Sequence, residues 1–176
     1  MYSNIRAFLN GLENQFITDG GASDSYNIDW SGKGFLNSAF TTSAIQRIAD
    51  TEVDNTASST YPQNYAGNNT FACDNTTDKI FLLSEQEVTS SAFGFAAYDS
   101  SGVRNKRIRV TTDYAKANSA FQHSTAGFGG TWWLRSPYNK YSNHARVAGS
   151  EGAADTSEQV QKSYNTGVVP ALCLND

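Results

Sequence analysis

Six residues, TWWLRS at 131–136, constrain this chain more than any other stretch. Side chains of an extended segment alternate between faces, so the adjacent Trp132 and Trp133 must point to opposite sides of a sheet. One of them is expected in a core, and both are buried only if both faces are covered. The residues that follow are opposite in character. From Tyr138 to Tyr164 large apolar residues nearly stop, and Tyr, Asn, Ser, His and Gly take over. A segment with so little to bury is expected to be held by its neighbours and to present its side chains outward.

The 176 residues fit one domain, 1–176, with a real core. Ser, Thr and Asn make up about 30% of the chain. They compete with helix and favour turns, which predicts long polar loops on a folded body. The net charge of −4 argues against a nucleic-acid partner, which would want a basic face. The short basic run Lys106, Arg107, Arg109 reads as a solvated strand edge. No apolar run approaches the ~20 residues of a membrane helix, so no membrane insertion is expected. The start, MYSNIRAFLNG, lacks the pattern of a signal peptide.

Cys73 and Cys173 stand far apart with no CxxC spacing, which fits two free thiols better than a disulfide and leaves both open. His123 and His144 have no metal-ligand spacing. No metal and no cofactor are expected.

Ser3 is placed to cap a helix over residues 3–16, with Ile5, Phe8, Leu9 and Leu12 on one face and Gly11 tolerated inside. A second helix is expected after Thr42 or Ser43, with Ile45, Ile48 and Ala49 inward. Residues 54–78 read as a polar loop carrying sequons at Asn68 and Asn75. Lys79 to Leu83 reads as a strand, and Ser84 with Glu87 forms a capping box. KRIRVTT reads as another strand with Ile108 and Val110 on one side. A helix capped by Thr111 or Thr112 is expected to run to Phe121. TWWLRS, ARVAG and GVVPALCL are strands, the middle one turning through SEG into AADTS. Pro170 belongs at an edge or bulge. The fold class expected is α+β, helices first and a small antiparallel sheet in the C-terminal part.

"DKIFLLSEQEV", "GGTWWLRSP" and "GVVPALCL", in that order, resemble an uncharacterised bacterial domain family with the signature LLS-x-E-E, WWLRSP, GVRPAL. "SNIRAFLN" and "FLNSAF" match its early positions, so the resemblance spans nearly the whole chain. Val169 stands where that family has Arg, removing a charge contact. The family also carries strands ahead of its first helix, so the chain is expected to begin inside the domain.

The family is similar to the C-type-lectin-like fold of formylglycine-generating enzymes and of the variable proteins of diversity-generating retroelements. The resemblance implies a rigid base made of the WWLR strand and the C-terminal strand, with the polar segment between them displayed. It implies a surface-exposed or virion-associated protein of a bacterium or phage.

The first function expected is therefore a ligand-binding display domain contacting a protein or glycan on a cell surface. Its candidate contacts are Tyr138, Asn139, Tyr141, Asn143, His144, Arg146, Ser150, Glu151, Asp155 and Tyr164. Tyr with Ser, Gly and Asn is also the composition of antibody paratopes, where Tyr gives contact area at low entropic cost. Tyr138, Tyr141, Arg146 and Tyr164 are expected on one exposed face. In a sharper form the segment is hypervariable, diversified by adenine mutagenesis of Asn codons, which reaches most residues from 138 to 156 but not Lys140 or Glu151.

Two alternatives come from other classes. An oxidase of the formylglycine-generating type would need Cys73 and Cys173 to meet and bind copper. A structural module of a surface or tail protein would use the same loops only to pack on neighbours. No GxSxG, phosphate-cradling Gly loop or nucleophile beside a His points to an enzyme. EPN, QPD and WND triplets are absent, which argues against calcium-dependent sugar binding.

Overall fold

The computed structural model describes residues 3–13, 29–59, 70–97, 104–154, 156–160 and 165–175. It is a mixed α/β chain with short helices and small sheets, and it divides into two compact units. The first comprises Met1–Val53, Thr77–Phe81 and Pro170–Asp176; the second comprises Asp54–Thr76 and Leu82–Val169.

In the first unit, α1 (Asn4–Asn10) is capped by Ser3, whose side chain accepts from the Arg6 N–H. Leu9 and Ala7 are buried, as the 3.6-residue period requires. The helix stops six residues short of the expected Phe16. Gly11 adopts φ 61, and its N–H returns to the Ala7 carbonyl, so this glycine ends the helix where it was expected only to weaken it. Asn10 then ties the helix to a distant segment. Its Nδ2 donates to the Ile80 carbonyl at 2.8 Å, and its Oδ1 accepts from the Lys79 and Ile80 N–H groups.

Two five-residue helices follow, α2 (Phe35–Ala39) and α3 (Thr42–Gln46). The cap of α3 is Thr41, one residue before the expected position, and none of its residues is buried. Ile48 is buried, but beyond the helix, in an isolated bridge to Leu174. β1 (Thr51–Val53) pairs with β2 (Thr76–Asp78), and β3 (Phe81–Leu82) pairs with β7 (Pro170–Ala171). Both strands of that second pair are shorter than expected. Pro170 lies in a two-stranded sheet, where every strand is an edge.

In the second unit the capping box forms as the sequence indicates. The Ser84 side chain accepts from the Glu87 N–H, and the Glu87 carboxylate accepts from the Ser84 N–H, at the start of α4 (Glu85–Val88). Thr112 caps α5 (Asp113–Ala117), which ends well before Phe121. The main sheet is antiparallel in the order β4 (Trp132–Pro137), β5 (His144–Ala148), β6 (Thr156–Gln159). Along β4 buried and half-buried residues alternate, with Trp132, Leu134 and Ser136 buried. Trp132 therefore enters the core with Leu134, Val88, Ala148 and Ala154, while Trp133 is half-buried on the opposite face. The chain returns to β4 at Gly167, through a parallel bridge to Trp132.

The expected KRIRV strand does not form. Arg104–Arg107 make a 3-10 turn, and Arg109 makes only an isolated bridge to Gly130. Arg107 is 0% exposed, not solvated. It donates to the carbonyls of Gly152 (2.6 Å), Ala96 (2.7 Å) and Val88 (3.2 Å), and its own carbonyl accepts from the Trp132 indole. Three loop ends thus share one guanidinium, because their inward carbonyls have no ladder to satisfy them. Gly130 and Gly129, directly before the Trp pair, let the backbone pass here. A Cβ on Gly129 would lie 2.3 Å from the Arg109 carbonyl oxygen, and one on Gly130 equally close to the Thr111 Oγ1.

Candidate functional site

The turn between β4 and β5 closes tightly. The Tyr138 N–H donates to the His144 carbonyl at 3.1 Å, and the His144 N–H donates to the Tyr141 carbonyl at 3.2 Å. That closure gathers three rings from a seven-residue stretch. Centroids lie 5.8 Å apart for Tyr138 and Tyr141, 5.9 Å for Tyr138 and His144, and 5.2 Å for Tyr141 and His144. The rings are mutually tilted and in contact, so they make a continuous aromatic patch. Tyr141 is 57% exposed, while Tyr138 and His144 are half-buried.

Amide and hydroxyl groups surround the rings. Asn143 and Ser142 are exposed; Asn139 is half-buried and keeps a buried Oδ1 with no hydrogen-bond partner among the described residues. Gln159 of β6 stands opposite His144 in the register, and the neighbouring Ser157 Oγ is 3.5 Å from His144 Nδ1. The Val160 N–H donates to the Asn143 carbonyl, closing the β6 side of the turn.

Arg146 overturns the expectation of an exposed face shared with Tyr138 and Tyr141. It is 2% exposed. The cause is strand parity: Ala148 pairs with Trp132 and joins the core, so Arg146, two residues earlier, points to the same covered face. A charge placed there needs a counter-charge. Glu85, 0% exposed, supplies it with Oε2 at 3.3 Å from the Arg146 Nε. The guanidinium also lies 4.8 Å from the Tyr138 ring centre, a cation–π contact from beneath the aromatic surface.

Glu85 is held in turn. Its N–H donates to the Ser136 Oγ at 2.9 Å, the Ser136 hydroxyl donates to the Ser59 carbonyl, and the Thr89 hydroxyl donates to the Glu85 carbonyl. In sequence Glu85 and Glu87 look like a carboxylate pair, of which the capping role explains Glu87. The Arg146–Ala148 parity is the signal that a buried acid was required. Glu87 takes a different cation, accepting from Arg135 Nη2 at 3.0 Å. Arg135 also donates to the carbonyls of Asp54 and Leu82.

The remaining candidates separate from this cluster. Ser150 and Glu151 lie in the turn after β5, where the Ser150 carbonyl accepts from the Gly129 N–H. Five residues of β5 put that turn roughly 15 Å from the aromatic end. Glu151 is exposed and Ser150 half-buried. Asp155 and Tyr164 lie outside the described residues, as does Asn68 of the first sequon. Cys73 and Cys173 are exposed free thiols. Among the described residues, no group of three or more His, Cys, Asp or Glu side chains could hold a metal ion. No helix among them is long and apolar enough to cross a membrane.

One family model matches, over residues 1–176, described as Domain of unknown function (DUF6273). No curated protein matches the chain. No solved structure matches it either.

Proposed function

The chain belongs to the DUF6273 family, and we propose that this member is a ligand-binding display domain of C-type-lectin-like fold. Its contact surface is the Tyr138–Tyr141–His144 turn, and its partner is a protein or glycan on a cell surface. One observation carries the proposal: an exposed aromatic cluster stands on a buried, charge-paired support. Tyr and Trp anchors of this kind dominate binding energy at recognition surfaces, where a truncation typically costs ~2 kcal/mol or more. Holding the anchors in place before binding reduces the ordering cost that a floppy loop would incur.

The burial pattern also favours the hypervariable form of this proposal while narrowing it. Tyr141, Ser142 and Asn143 are exposed and can change without touching the core, whereas Tyr138 lies on the buried Arg146 guanidinium and Asn139 keeps a buried Oδ1. Arg146 cannot, because any other residue leaves Glu85 buried with a different partner. In a diversity-generating retroelement the codons for Tyr141, Ser142 and Asn143 would vary and codon 146 would not. The locus tests this directly. A near-copy of the codons for residues 130–170, differing at adenines and lying beside a reverse-transcriptase gene, is expected. Copies that differ as often at codon 146 as at codon 141 would contradict it.

The display role itself is tested on an array carrying both glycans and bacterial surface proteins. The native chain should bind, and Tyr141→Ser should not bind while melting like the parent. Equal binding by both would remove this turn as the contact surface.

A further inference from the structure

We infer that the aromatic turn takes a neutral carbohydrate, bound without a divalent cation. This rests on the display role proposed above and names the ligand class of that same site. Three features of the surface point the same way.

The first is shape. The three rings are in contact, with centroids 5.2–5.9 Å apart, and so form one contiguous aromatic patch. With Tyr141 57% exposed, the cluster can take the apolar C–H face of a pyranose, which stacks on the face of an aromatic ring and needs no enclosing cavity.

The second is the rim. Asn143, Asn139 and Gln159 are carboxamides, and Ser142 and Ser157 are hydroxyls. Asn143 and Gln159 each carry donors and an acceptor side by side, while the Asn139 Oδ1 is buried; such pairs match the adjacent hydroxyls of a sugar better than the single-sense edge of an ion.

The third is charge. The strongest cation at the turn, Arg146, is 2% exposed and already opposed by Glu85, so it supports Tyr138 from below and does not recruit an anion. Lys140 is the exposed charge of the turn itself. With Arg146 opposed by Glu85, Lys140 is the one exposed cation among the described residues of the turn, short of the cluster of cations that holds phosphate or sulfate.

The test uses the full chain in native gels cast with soluble neutral polysaccharides (mannan, xylan, β-glucan and glycol chitin in separate gels), all containing EDTA. At least one polysaccharide should retard the protein. Tyr141→Ala should weaken that retardation at least tenfold, and Tyr141→Trp should retain it. Because Tyr141 is mostly exposed, the melting temperature of both variants should stay near that of the parent, and it is measured on the same samples.

Retardation that needs added calcium, or retardation unchanged in Tyr141→Ala, would overturn the inference. Absence of retardation in every gel would overturn it too. Binding to surface proteins on the array, lost in Tyr141→Ser, would then keep the display role while rejecting the carbohydrate. Failure on both gels and array would reject the two together.

Discussion

Arg146 and Glu85 are the residues whose types fit their surroundings least, and that mismatch explains the site. Taking either ion from water costs several kcal/mol, and their attraction offsets this only while both are present. Arg146→Ala should therefore destabilise the fold by about 3–5 kcal/mol in urea titrations, and Glu85→Ala by a similar amount. The double variant Glu85→Leu with Arg146→Met should recover most of that loss, since an apolar pair leaves no orphaned charge. If the single variants unfolded at the parent's urea concentration, the pair would not be supporting the turn. Tyr141→Ser, by contrast, should stay within about 0.5 kcal/mol of the parent, as for an exposed side chain. The sequence displayed Arg146 as one more polar residue in a polar run. Its burial became legible only from the register, which places Ala148 opposite Trp132.

At the scale of elements, the caps were readable and the lengths were not. Ser3 and Ser84 act where their spacing places them, because an N-cap needs only one side chain and the N–H two or three residues on. Ser84→Ala should cost about 1 kcal/mol, visible as a lower urea midpoint. Helix and strand lengths depend on tertiary partners and local stops, so Gly11 ends α1 early and the expected KRIRV strand gives way to a 3-10 turn over Arg104–Arg107 and a single bridge at Arg109. Gly129→Ala should be far more damaging than Gly127→Ala. A Cβ on the first meets the Arg109 backbone, whereas the second has open space and pays only for its positive φ. Thermal melts of the two variants check this, and equal midpoints would contradict it.

One hydrogen-bonded carboxylate responds to pH. Asp54 accepts from the hydroxyls of Thr56 and Ser58 and from the Thr56 N–H, ahead of the 3-10 turn Ala57–Ser59. The hydrogen bond from the Thr56 side chain, together with those from Ser58 and the Thr56 backbone and the charge of Arg135, holds its carboxyl below its ordinary value of 3.8. A depressed carboxyl stabilises the fold above its unfolded value, and that contribution disappears as the pH falls through the lower folded value. The stability gap between the parent and Asp54→Asn should therefore be steady at neutral pH and close below 3.8. Asp54 is half-buried and still reached by solvent, so the gap should be small and should shrink further with salt. A gap that widened on acidification would reverse the assignment.

At the scale of the whole molecule, two compact units each carry their own buried core. The mixed α/β class with small antiparallel sheets was legible, because alternation in TWWLRS and turn chemistry after ARVAG are local signals. The site was legible in part. Tyr138, Asn139, Tyr141, Asn143 and His144 do gather at one turn, since they are neighbours in sequence. Ser150 and Glu151 fall at the far end of β5, a separation that composition cannot express. The central claim is that a mutable aromatic surface stands on a support that does not change with it. Array binding and melting temperature, measured side by side on the parent and on Tyr141→Ser, test it most directly. The account predicts lost binding with the midpoint unchanged within a few degrees. Retained binding, or a midpoint that collapses with the binding, would contradict it.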